Sequence, residues 1–235
     1  MFGQNKIVKQ EKSEDCDGTI PIVEIFKTLQ GEGHFSGVPS IFVRVRDCIL
    51  RCHFCDTEFS KGHRFTIDEI LKEINKLRND NINLVVITGG EPFIHQSTKR
   101  LIFKLLSEGF IVQVETCGVV TLDDLPHNNP NFSIVVSPKT GKINQYIYDH
   151  ATSFKYIITD GEVDEKDGLP NKSTQIKEQT LKLCRPRPGA KVYLTPCDPH
   201  TTAEDYIDNT NQAIESCLKY GYTLNLQMHK IVGLP

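Results

Sequence analysis

Short apolar runs, many of them β-branched, recur along the chain and alternate with longer segments of mixed character. Seven of these runs predict strands: Ile41–Arg46, Leu84–Thr88, Phe110–Glu115, Ser133–Ser137, Phe154–Thr159, Lys191–Thr195 and Thr223–Met228. An earlier run, Ile20–Phe26, predicts an outer strand. Several are apolar almost throughout, as expected where helices cover a parallel sheet. The clearest helix is Ile67–Arg78. Its Ile67, Ile70, Leu71, Ile74 and Leu77 share one face, and Thr66 with Glu69 spells a capping box at its start. Ser97–Leu106 and Thr202–Tyr220 also read as helices, and Lys172–Leu183 as a less regular one. The stretches 115–133 and 137–154 leave room only for short helices.

Strands alternating with helices imply right-handed βαβ units. A closed eightfold barrel takes about 250 residues, and this chain offers about six βα units before its last strand. The predicted fold is therefore α/β, a partial, open (β/α)6-type TIM-like barrel. It is expected to form a single domain over 1–235. Residues 1–18 are read as a polar extension, and 19–40 as a strand and loop preceding the barrel core.

Polar or reactive groups follow strand after strand. Cys48 comes after the first, Gly89-Gly90-Glu91-Pro92 after the second and Thr116-Cys117-Gly118 after the third. Pro138-Lys139, Asp160-Gly161, Pro196-Cys197-Asp198 and His229-Lys230 follow the others. In parallel α/β folds the active site lies at the carboxyl ends of the strands. Each of these groups taken alone would pass for a turn or a helix cap; the set as a whole predicts one mouth.

Composition narrows the classes. The 235 residues are 38% hydrophobic and 24% charged, ordinary values for a globular protein. A net charge of −3 offers no basic field for nucleic acid. Met1 to Gly18 lacks the apolar core of a secretion signal, and runs such as Leu84-Val85-Val86-Ile87 are too short to span a bilayer. The expectation is a cytoplasmic protein with reduced thiols, no nucleic-acid partner and no membrane contact.

Three of the eight cysteines, Cys48, Cys52 and Cys55, form C-x3-C-x2-C with no fourth cysteine to close the set. Three thiolates can hold three corners of a [4Fe–4S] cube and leave one iron open for chemistry, whereas electron-transfer clusters usually take a fourth cysteine. A zinc site using His53 remains an alternative by ligand type, although His53 is poorly spaced for folding back onto the same metal. A disulfide framework suits neither the crowding nor the compartment.

The cysteine run, aromatic Phe54 before its last member, and the Gly-Gly-Glu-Pro stretch together resemble the radical S-adenosylmethionine superfamily. Leu29-Gln30-Gly31-Glu32-Gly33, Cys55-Asp56-Thr57 and the terminal Gln227–Pro235 stretch narrow the resemblance to the 7-carboxy-7-deazaguanine synthase family. The similarity runs from about Ile22 to the last residue. It implies a partial barrel and a homodimer. The implied reaction is a radical ring contraction of 6-carboxy-5,6,7,8-tetrahydropterin to 7-carboxy-7-deazaguanine, with loss of ammonia, in queuosine-type 7-deazapurine biosynthesis. A [4Fe–4S] cluster, S-adenosylmethionine and Mg2+ are the implied cofactors, and an electron donor such as flavodoxin the implied partner.

The resemblance also implies roles. Cys48, Cys52 and Cys55 would ligate the cluster, and Thr57 would give a hydroxyl to Mg2+. Phe54, Cys55, Asp56, Gly90, Ser137, Pro138, Lys139, Thr195, Pro196, Cys197 and Asp198 would surround S-adenosylmethionine. Leu29, Gln30, Gly31, Glu32, Arg44, Thr88 and His229 would bind the pterin, together with the terminal carboxylate of Pro235. An arginine fork at position 44 suits a carboxylate; alternation alone leaves Arg46 as a rival for that task. The bland readings are a turn-capping hydroxyl for Thr57, a Gly-Gly turn for Gly89-Gly90, strand-end turns for 137–139 and 195–198, and a structural role for His229.

Some positions depart from the family pattern. Asp47 and Ile49 stand where most members have Gly and Asn, and Glu115-Thr116-Cys117-Gly118 replaces the usual Glu-Thr-Asn-Gly. Thr195 and Cys197 also differ from the usual stretch. Two rival functions remain at this level: a glycyl-radical enzyme activase, and a non-catalytic zinc-stabilised binding module.

Overall fold

The computed structural model describes residues 18–55, 57, 61–176, 179–198 and 202–234. Its centre is a nine-stranded sheet in the order β3-β1-β2-β4-β5-β6-β7-β8-β9. The strands are β1 (Thr19–Leu29), β2 (Pro39–Val45), β3 (His63–Thr66), β4 (Leu84–Gly89) and β5 (Ile111–Thr116). They continue with β6 (Phe132–Val136), β7 (Ser153–Ile158), β8 (Lys191–Pro196) and β9 (Thr223–Leu224). From β2 through β9 neighbouring strands are parallel, with β1 and β3 added antiparallel on one side. The edges β3 and β9 do not pair, so the barrel is open, as the strand arithmetic predicts.

Helices α1 (Ile67–Leu77), α2 (Ser97–Ser107), α3 (Gln145–His150) and α4 (Ala203–Tyr220) pack on the outside. α1 begins as its sequence demands. The Thr66 side chain accepts from Glu69 N–H, and the Glu69 carboxylate accepts from Thr66 N–H at 2.8 Å. Its Ile70, Leu71 and Ile74 are buried. α4 is capped by Thr202 and ends on Gly221 in the left-handed region, φ 77°.

The strands sort their side chains by alternation. Ile41, Val43 and Val45 of β2, Val85 and Ile87 of β4, Val112 and Val114 of β5, and Phe154, Tyr156 and Ile158 of β7 join one buried core under the helices. The residues that alternate with or directly follow them, including Arg44, Thr88, Glu115 and Lys155, line the hollow of the curved sheet. Parallel register sets Arg44 beside Thr88 and Val45 beside Gly89 at the carboxyl ends.

Two expectations fail locally, and one strand goes unannounced. None of the described residues of Lys172–Leu183 is helical. The Ser173 hydroxyl accepts from the N–H of Gln175 and of Ile176, and Lys172 bridges Thr180. The two ends of the segment pair antiparallel instead, with Ser173 N–H donating to Gln179 O at 2.8 Å and Leu181 N–H to Asn171 O at 2.9 Å, so these backbone groups are not available to a helix ladder. Thr223–Met228 is a strand only to Leu224, because Asn225 spends its side chain on Gly33 N–H and the Thr195 hydroxyl. Met228 instead opens a short helix, α5 (Met228–Ile231). Finally, β3 has no apolar run to announce it; it is a short edge strand paired with Thr19–Ile22. The proposed 1–18 extension lies outside the described residues apart from Gly18. Among the described residues, no helix is long and apolar enough to cross a membrane.

The cap gives a stability test. Thr66→Ala removes an N-cap acceptor and half of the reciprocal box, which costs about 1 kcal/mol. A lower urea midpoint with unchanged m-value is the expected result.

Candidate active site

The cluster loop leaves β2 through two unusual residues. Asp47 is almost fully buried and adopts φ 70°, a conformation costly for most side chains but tolerable for Asp. Glycine, which the family resemblance leads one to expect there, would adopt it at no cost. Arg46 turns to Asp47 Oδ1 at 3.2 Å and lies outside the cavity lining, while Arg44 lies within it. β2 ends at Val45, so the strand alternation that left both arginines open no longer governs Arg46.

The Gly-Gly-Glu-Pro stretch is stitched to this loop. Gly90 N–H donates to Val45 O at 3.0 Å and Glu91 N–H to Asp47 O at 2.8 Å. A Cβ on Gly90 would lie 1.8 Å from the Asp47 carbonyl oxygen, so no side chain fits. Glu91 is fully buried, and three donors converge on its carboxylate. The Thr116 hydroxyl (2.7 Å) and Phe93 N–H (3.1 Å) reach Oε1, and Cys117 N–H (2.8 Å) reaches Oε2. Burial raises its pKa above the usual range, and these hydrogen bonds oppose the shift.

Cys48, Cys52 and Cys55 carry free thiols. Burial pushes the Cys48 thiol up to about 12, and Glu91, Cys52 and Cys55 all lie near enough to add to the rise. Iron must displace that proton. Among the described residues, no group of three or more His, Cys, Asp or Glu side chains is arranged to hold one metal ion. A cube, by contrast, gives each thiolate its own iron. His53 is turned away from the zinc role, with Nε2 3.2 Å from Ser173 O. Three neighbouring thiols, two of them with donors aimed at the sulfur, fit a [4Fe–4S] cluster better than zinc. Leu50 N–H lies 3.4 Å from Cys48 Sγ, and Gln175 Nε2 lies 3.1 Å from Cys52 Sγ.

Behind the loop opens a cavity of about 730 Å³. The three cysteines, Phe54, Thr57, Gly90, Ser137, Lys139, Pro196, Cys197 and Asp198 line it. So do Leu29, Gln30, Glu32, Arg44, Thr88 and His229. Lys139 hydrogen-bonds Ser137 Oγ, and its ammonium lies 5.8 Å from the Phe54 ring centroid. Burial lowers its pKa, and nearby Cys52 opposes that shift.

Three sequence candidates stand outside the lining. Thr195 is fully buried, its hydroxyl accepting from Asn225 Nδ2 at 2.9 Å. Pro138 faces a small neighbouring recess. Gly31 acts by having no side chain: a Cβ there would meet His229 Nδ1 at 1.8 Å, so its absence seats the histidine. Asp56 and Pro235 lie outside the described residues.

The structure adds residues absent from the sequence candidates. Glu115 Oε1 accepts from Gln30 Nε2 (3.0 Å) and Gln113 Nε2 (3.2 Å), and its Oε2 from the Thr88 hydroxyl (3.0 Å). Lys155 is buried in an ion pair with Glu32. Strand alternation was the signal that could have found both, since Lys155 stands between Phe154 and Tyr156, and Glu115 follows Val114, all of which face the core. Gln30 also accepts Glu32 N–H at 3.1 Å, so the Gln30–Glu32 loop is wired to β5 and β7. Arg44 is held by Glu24 at 2.7 Å, and its guanidinium lies 5.5 Å from the Phe26 ring centroid.

Two substitutions test the stitching. Gly90→Ala forces the cluster loop off its partner and lowers iron and sulfide bound after anaerobic reconstitution at least several-fold. Glu91→Gln places an NH2 against one of three donors, and a buried mismatch of that kind costs about 1–3 kcal/mol. Thermal unfolding reads this as a lower midpoint.

Comparison with known proteins agrees with this geometry. The Radical SAM superfamily model matches residues 42–146. A 7-carboxy-7-deazaguanine synthase of Rhodospirillum rubrum is 43% identical over 100% of both chains. Another, of Rickettsia prowazekii, is 36% identical over 100% of this chain and 96% of its own. The crystal structure of QueE from Escherichia coli superposes with a TM-score of 0.63 at 26% identity, covering 90% of this chain and 95% of that one. With its cysteine loop, its stitched glycine turn and its open barrel, this chain belongs to the 7-carboxy-7-deazaguanine synthase family of the radical SAM superfamily.

Proposed function

We propose that this chain is a single-domain cytoplasmic lyase that contracts 6-carboxy-5,6,7,8-tetrahydropterin to 7-carboxy-7-deazaguanine with release of ammonia. The family membership supports the reaction. The observation that carries the reading at the level of residues is one cavity lined both by the three-cysteine loop and by the Gln30, Glu32, Arg44, Thr88 and Glu115 wall. When bound, the cluster and S-adenosylmethionine supply an organic radical through one-electron reductive cleavage. The protein positions the pterin and keeps water out.

The roles of its residues follow from their chemistry. A pterin offers an aminopyrimidine edge rich in donors. Glu32 and Glu115 are acceptors, and the Gln30 amide supplies both kinds of group. Both carboxylates are already held in place, Glu32 by Lys155 and Glu115 by Gln30, Gln113 and Thr88. The wall is therefore formed before substrate arrives. Arg44 has a surface-exposed partner in Glu24. Such a pair is worth little, so the guanidinium can exchange it for the pterin carboxylate at small cost. His229, seated over Gly31, adds its ring to the cavity lining beside the Gln30–Glu32 loop.

Thr57 lines the cavity just past Cys55. Its hydroxyl is a hard oxygen suited to Mg2+, which takes substrate oxygens and water as further ligands. Mg2+ held there would anchor the pterin carboxylate and offset its charge. The homodimer and the flavodoxin-type donor belong to this reading on the resemblance alone.

Anaerobic incubation of reduced enzyme with the carboxytetrahydropterin, S-adenosylmethionine and Mg2+ is expected to yield the deazapurine. Cofactor cleavage without that product would mean a different substrate. Thr57→Val is expected to reduce turnover at least tenfold, in the range set by lost metal support, and to flatten the dependence on Mg2+. A Mg2+ titration identical to that of the unsubstituted enzyme would remove Thr57 from the role.

A further inference from the structure

The loop after β7, which is not a helix, sends one side chain back to the cysteines. Gln175 Nε2 lies 3.1 Å from Cys52 Sγ and 2.6 Å from Thr174 Oγ1. Its Oε1 accepts from Arg51 N–H at 2.7 Å. The last contact settles the amide's orientation, because a backbone N–H requires the oxygen end. The NH2 end must then face Cys52. Neighbouring backbone holds the loop in register, with His53 N–H donating to Thr174 O at 2.9 Å.

Donor accounting leaves one role for the remaining hydrogen. The Thr174 hydroxyl is a donor to Lys139 O at 2.9 Å, so its single hydrogen is already committed. Gln175 Nε2 has two hydrogens. One meets Thr174 Oγ1 and the other meets the Cys52 sulfur. In the thiol state Cys52 can itself donate toward Thr174 Oγ1 at 3.6 Å. In the iron-bound thiolate state that hydrogen is gone, and the sulfur becomes a pure acceptor facing the Gln175 amide.

We propose that Gln175 is a positioning residue for the cluster. Its carboxamide, pinned by Arg51 N–H, donates to the Cys52 thiolate and thereby raises the cluster's reduction potential. Hydrogen bonds to cluster sulfurs are among the factors that set such potentials, and a donor at a thiolate stabilises the more negative reduced state. The inference rests on Cys52 being a cluster ligand. It adds a device contributed by the 173–175 loop, outside the cysteine run itself.

The test uses the full chain, reconstituted anaerobically, with iron and sulfide counted first. A parent protein without a [4Fe–4S] cluster would sink the functional reading and this inference together. With cluster present, an EPR-monitored redox titration of Gln175→Leu is expected to show a midpoint displaced to more negative potential. A tenfold loss in the reduction equilibrium corresponds to about 59 mV for a one-electron couple. A fully loaded Gln175→Leu protein with the parent midpoint would overturn the inference while leaving the functional reading intact. If that variant loses its cluster, the unsubstituted protein decides. Protein carrying glutamine labelled with 15N at the side-chain amide should show a 15N coupling to the reduced cluster in pulsed EPR, and its absence would overturn the proposal.

Discussion

A buried carboxylate holds the site together. Glu91 reaches from the Gly-Gly-Glu-Pro turn to Thr116 and Cys117 at the end of β5, while its own N–H and that of Gly90 clasp the cluster loop. Three strand ends are thereby tied by one carboxylate together with the two backbone N–H groups of Gly90 and Glu91. An ionised group in such a place is stable only if its oxygens are satisfied, and here three donors converge on it. The requirement for glycine at position 90 follows from the same clasp, since the Asp47 carbonyl occupies the space a side chain would need.

Sheet alternation divides the labour beyond this clasp. One face of each strand feeds the core beneath α1 to α4, and the other carries Arg44, Thr88, Glu115 and Lys155 into the hollow. The polar face bears ionic groups that burial alone would penalise. It is balanced by pairing: Lys155 with Glu32, and Glu115 with Gln30, Gln113 and Thr88. Because these pairs also fix the Gln30–Glu32 loop, the network that satisfies the wall is the one that shapes the cavity.

Much of the architecture was legible because the relevant forces are local. The runs at Leu84–Ile87 and Phe132–Val136 are buried throughout, as continuous apolar strands should be. The Thr66–Glu69 box capped the helix that its periodicity announced. The scattered apolar residues of Lys172–Leu183 suit a helix, but its backbone groups pair across the segment, Ser173 with Gln179 and Leu181 with Asn171, which local periodicity does not display. Asn225 similarly cut the last strand short through two partners distant in sequence. Strand alternation is enough to place Glu115 and Lys155 in the hollow; Lys155 lies in no motif, and the stretch that begins at Glu115 assigns that carboxylate no role.

By itself the sequence determined the ligand chemistry and the element pattern. The spacing of Cys48, Cys52 and Cys55, the capping residues and the apolar periods are properties of neighbouring residues, and neighbours are what a sequence displays. Only the tertiary structure decided which partners meet. Gly31 had to sit beneath His229, Asp47 beside Gly90, and Gln175 against Cys52. Those contacts join residues up to about two hundred positions apart, where burial and hydrogen-bond satisfaction across the whole fold, rather than local preference, select the arrangement.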